Sequence, residues 1–125
     1  MLKDEIQYLR EVAKQYKEYA ELPRMQQLRE EWKRHNARKP GRPMVMIDQL
    51  PYSEMNVDGE LDLKTTDPFL QSVEWKLKTA IFQQKHFPVD MVAENFFEIP
   101  VPIYGWSFGD RGIVGKTVFD EDGKD

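Results

Sequence analysis

The sequence predicts an α/β chain: two N-terminal helices, then a strand, a loop, a helix and a second strand. Three observations carry this expectation. Apolar residues near the N-terminus recur at spacings of three and four. Two short apolar runs, at 44–47 and 89–97, lack the strict alternation of a half-exposed strand. A proline-started helical stretch of suitable length joins them, and a strand–helix–strand unit of that size favours a parallel pair with a right-handed crossover.

Leu2, Ile6, Leu9, Ala13, Tyr16 and Ala20 form one apolar stripe, so an amphipathic helix is expected to end near Glu21. Pro23 suits the first turn of a second helix, where a missing N–H costs nothing. Met25, Leu28, Trp32 and His35 mark its inner face, and Pro40, Gly41 and Pro43 break it. The run at 44–47 then reads as a strand covered on both faces, as in a parallel sheet. It stops at Asp48, and DQLPYSEMNVDGELDL, residues 48–63, reads as a long irregular connection. Loops of that length in small domains are often functional. Asp67 is the expected N-cap of the next helix and Pro68 its first residue. Leu70, Val73, Leu77, Ile81 and Gln84 lie on one side of this helix, and Trp75, Thr79, Phe82 and His86 on another. A helix with two such sides has two surfaces to cover.

The 125 residues suffice for one domain with a modest core. Charged residues make up 32% with both signs interspersed, and the net charge is −4, so a dedicated nucleic-acid binder is not expected. The only dense basic stretch runs from 33 to 42. The chain has no cysteine, which excludes disulfides, thiolate metal sites and a cysteine nucleophile. Neither a targeting leader nor a run long enough for a membrane span is visible, and a cytoplasmic protein is expected. No GxGxxG or GxxxxGK[ST] motif occurs. Residues 120–125, DEDGKD, lack the central glycine and terminal glutamate of a calcium loop, and 110–125 reads as a flexible tail.

The stretches RPMVMIDQLPYSEMN and DPFLQSVEWKLKTAIFQQKHFPVDMVAENFFEIPVP resemble the N-terminal part of the uroporphyrinogen decarboxylase superfamily, which includes corrinoid-linked methyltransferases. The resemblance covers residues 24–109 and rests on element order, spacing and the step Phe87–Pro88–Val89–Asp90. It implies a (β/α)8 barrel, of which this chain would hold the first portion. A complete barrel needs about 250 residues. Three regions follow: a helical pair at 1–39, a first βαβ portion at 40–109, and the tail. Where the decarboxylase proper holds its substrate's carboxylates with arginines, this chain has Asp48. Where the decarboxylase has an aspartate near the end of its second strand, this chain has Phe97, with Glu98 one residue late. The methyltransferase-like side of the superfamily therefore fits better.

In such barrels, functional groups sit at the C-terminal ends of strands. The expected substrate-binding residues are accordingly Asp48, Tyr52, Glu94 and Asn95, as partners for a cationic, amide or hydroxyl ligand. Glu94 and Asn95 are adjacent and would face opposite ways in a regular strand. Asp48 has a local alternative, accepting N–H groups of its own loop. His35 and His86 each close a helix, where an imidazolium suits the dipole. The family's zinc ligands lie on later strands, so neither metal nor cofactor is expected in this chain; a small substrate or a corrinoid carrier would belong to the full-length protein. The expected function is that of an N-terminal segment of such a methyltransferase-like protein, inactive alone. The competing expectation is a small interaction module that oligomerises or binds a partner through its first helices.

Overall fold

The computed structural model describes residues 2–99. Four helices occur among them: α1 (Leu2–Ala20), α2 (Pro23–Asn36), the single turn α3 (Tyr52–Met55) and α4 (Pro68–His86). Trp106, the glycines from Gly105 to Gly115, residues 120–125 and the expected tail lie outside the described residues.

The helices begin and end for local reasons. Pro23 opens α2 and Pro68 opens α4. The Asp67 carboxylate accepts the N–H groups of Phe69 and Leu70, satisfying two donors that the first turn leaves free. At the far end of α2, Arg38 N–H donates to the His35 carbonyl and Lys39 N–H to that of Arg34, each at 3.0 Å. This is a Schellman closure, with Arg38 at φ 56° where glycine is usual.

α1 packs along α4, burying Leu9 and Val12 on one side and Leu77 and Phe82 on the other. A second cluster, Ala20, Met25, Leu28 and Ala93, joins the α1–α2 corner to the segment after α4, with Tyr16, Trp32, Met44 and Val92 against it.

The two expected strands are absent: no strand or sheet occurs among the described residues, which overturns the α/β reading and the barrel portion with it. The segments around Val45 and Asp90 do touch, through one backbone bond from Asp90 N–H to the Val45 carbonyl at 3.0 Å. The reciprocal donor, Val45 N–H, instead goes to the Asp90 carboxylate at 2.6 Å. Beyond that point side chains of the helices take the backbone acceptors a neighbouring strand would need. Trp32 Nε1–H donates to the Asp90 carbonyl at 2.6 Å, Gln84 to that of Met91 at 3.0 Å, Arg29 to that of Ala93 at 3.4 Å, and the Tyr16 hydroxyl to that of Glu94 at 2.7 Å. Val89 at φ 35° also breaks the extended run. Nor is residues 44–47 covered on both faces, since Val45 is 50% and Met46 65% exposed.

Candidate functional site

The connection from 48 to 66 is ordered by its own polar groups. Asn56 donates to the Asp62 carboxylate at 2.7 Å and accepts Leu61 N–H at 3.0 Å. Gly59, at φ 76°, turns the chain, and a Cβ there would stand 2.8 Å from the Asp62 carboxylate. The end of the loop is fastened to α4 through Glu74, which is wholly buried. Its carboxylate accepts the N–H groups of Lys64 and Thr65 and the Thr65 hydroxyl, the last at 2.7 Å. It also pairs with Lys78 at 2.9 Å. Burial alone would raise the Glu74 carboxyl. The Lys64 N–H, the Lys78 ammonium and Thr65 outweigh burial and hold it at about 2. Lys78 in turn donates to the Asp62 carbonyl and lies 5.4 Å from the centre of the Tyr8 ring, with Lys64 at 5.3 Å from the same ring.

The four residues expected from sequence fall into two pairs with separate partners. Asp48 is exposed, and its carboxylate accepts the N–H of Gln49 at 2.8 Å, the local role open to it from the start. Tyr52, on α3, stands edge-on to Trp75 and Phe82 of α4 with centroids 6.0 and 6.3 Å away. It thereby covers the second apolar side of that helix. Burial, and then the charge of Asp48, raise its phenol above the ordinary value. Glu94 instead faces α2, where its carboxylate meets Arg29 at 3.3 Å. Asn95 lines the groove between α1 and α4. Tyr52, with the Asp48 charge nearby, thus leans on α4, while Glu94 lies over α1 and α2 and Asn95 at the groove between α1 and α4.

Two polar centres were not marked from sequence. Glu74 and Lys78 stand four apart on α4, the usual spacing of a surface pair, and nothing local says that the pair is enclosed. Asp90 is the other. It is buried, holds Arg42 through both carboxylate oxygens at 2.7 and 3.1 Å, and accepts Val45 N–H. The Arg42 guanidinium, then the Val45 N–H, keep its carboxyl below the ordinary range. The step Phe87–Asp90 was visible as a pattern, but its partner Arg42 lies 48 residues earlier, between Gly41 and Pro43.

His86 meets the Glu60 carboxylate at 3.0 Å, and Lys85 reaches it at 3.3 Å; His35 is edge-on to Trp32. No helix among the described residues is long and apolar enough to cross a membrane. No protein-family model, curated protein or solved structure matches the chain.

Proposed function

We propose that this chain serves as the non-catalytic N-terminal segment of a uroporphyrinogen decarboxylase-like protein of the methyltransferase-like kind. The full-length reaction is then methyl transfer between a small substrate and a corrinoid carrier. The chain's part is structural support, together with polar contacts offered by Asp48 and Tyr52 from one segment and by Glu94 and Asn95 from the other. We place it in the cytoplasm, a reading supported by the cysteine-free sequence.

The single observation that carries this proposal is an unmet need for cover. Val45 and Met46 in one non-helical segment, and Phe96, Phe97 and Ile99 in another, are exposed, and exposed apolar side chains grouped along a segment mark a contact surface. The sequence stretches that carry the family resemblance include these same residues. The polar centres of greatest strength, at Glu74 and Asp90, have their hydrogen bonds fulfilled within the chain, which fits a scaffold role.

A methyl-transfer assay with this chain as the only protein tests the proposal, using methylcobalamin and simple methyl acceptors. No turnover is expected, and turnover would overturn the non-catalytic assignment. The coding sequence beyond Asp125 tests the family assignment separately. A continuing frame with a His…Cys pattern supports it, and a stop codon directly after Asp125 argues for the interaction module instead. That second reading is favoured by one observation of its own, the open apolar groove along α1.

A further inference from the structure

We infer that the groove between α1 and α4 seats a third helix, amphipathic and edged with carboxylates, supplied by a partner. The groove encloses roughly 380 Å³ and is lined by Ile6, Leu9 and Ala13 from one helix and Leu70, Val73 and Leu77 from the other. Phe96 and Phe97 close one side of it. Ile6 remains 37% exposed and Phe96 59%, so this lining is packed only in part.

Its shape favours a helix. On α1 the apolar positions 2, 6, 9, 13, 16 and 20 are separated by four and three residues in strict alternation. On α4, the apolar positions 70, 73, 77 and 80 follow the same rule. That spacing is a heptad seam, whose apolar knobs fit the holes of a neighbouring helix. The two seams already meet each other at Leu9 and Leu77, which are buried. A third helix laid between them would engage the side of each seam that still faces solvent.

Its charge favours an acidic edge. Lys3, Arg10 and Lys17 recur every seven residues beside the α1 seam, and Arg10 and Lys17 line the groove itself. No carboxylate side chain is among the lining residues, although the chain as a whole carries a net −4. Lys17 pairs with Glu21 at 3.4 Å across exposed surface, a contact weak enough to exchange for another carboxylate. Flanking charges of this kind set partner choice between helices. They also argue against a second copy of this chain. In a symmetric antiparallel pairing the two α1 edges would face each other, Arg10 and Lys17 against the same cations.

This inference stands on α1, α4 and the edge formed by Phe96 and Phe97, not on any chemistry, so the outcome of the methyl-transfer assay leaves it intact. The test is fluorescence anisotropy of the full chain with a labelled synthetic three-heptad helix carrying leucine on its seam and glutamate along both edges. The same helix with lysine edges is the control. The glutamate-edged helix is expected to bind roughly tenfold tighter at low salt, with the margin shrinking as salt rises. The exchange Arg10→Glu with Lys17→Glu, at two exposed positions whose helix content circular dichroism can check, should reverse the preference. Equal binding of the two helices, no binding of either, or an unchanged preference in the double variant would overturn the inference. So would a concentration-dependent dimer in sedimentation that the double variant abolishes, because the occupant would then be a second copy.

Discussion

Glu74 shows how much one enclosed carboxylate can hold. Its carboxyl stands at about 2 against an ordinary 4.5, which corresponds to roughly 3 kcal/mol favouring the charged, folded form. Because the folded value is the lower one, that contribution is complete above about pH 4.5 and drains away as the pH falls toward 2. Glu74→Gln keeps the size but sets an amide N–H₂ against the donors of Lys64, Thr65 and Lys78. We expect it to cost about 2–4 kcal/mol, read as a lower urea midpoint at pH 7, and to remove most of the stability change between pH 4.5 and 2. Asp90 plays the same part for the segment at 40–47. Asp90→Asn loses the ion pair with Arg42 and should cost about 1.5–3 kcal/mol. Its accompanying sign is faster amide exchange at Val45, whose N–H now depends on the Asp90 carboxylate. Equal exchange in the two proteins would show that the carboxylate does not hold that segment.

The helices were legible at their ends because the signals there are local. Asp67 and Pro68 announce α4 within two residues, and Pro23 announces α2. The closure of α2 was visible as a set of breakers but not in its form, since nothing in the sequence says that Arg38 rather than Gly41 takes the left-handed position. Arg38→Gly removes the strain of a side chain at φ 56° and should stabilise the chain by about 0.5–1 kcal/mol, seen as a raised thermal midpoint. The opposite change belongs to the loop before α4. Gly59→Ala meets both a positive φ and the Asp62 carboxylate, and should cost more than about 1 kcal/mol. Its effect should centre on residues 56–62, where exchange or proteolysis would report it. The candidate residues followed the same division. The local bond of Asp48 to its own loop was readable from residue type. The stacking of Tyr52 on Trp75 and Phe82 needed the fold of the intervening loop, and so did the turning of Glu94 toward Arg29.

At the level of the whole molecule, stability is expected to be greatest across neutral pH and to fall on both sides. Glu60, Glu74 and Asp90 all have lowered carboxyls, and what they contribute is lost as acid protonates them. Tyr16 and Tyr52 have raised phenols, each chiefly through burial; their contribution is present below the ordinary phenol value and is lost as the pH climbs through the folded one. A chemical-denaturation series from pH 2 to 11 would trace both limbs, and a flat profile on the acid side would contradict the role given to Glu74.

The amino-acid sequence by itself determined where the three long helices run and which of their faces are apolar, because periodicity, capping and proline act over a few residues. It also marked 44–47 and 89–97 as apolar, and read both as strands. Only the tertiary structure decided that these two runs are not strands of a sheet. A ladder needs free backbone donors and acceptors on both partners, and here they are taken by side chains that arrive from far along the chain: Asp90 on Val45, Trp32 on Asp90, Tyr16 on Glu94. Hydrophobic pattern records what a segment would bury. Which groups reach its backbone first depends on residues dozens of positions away.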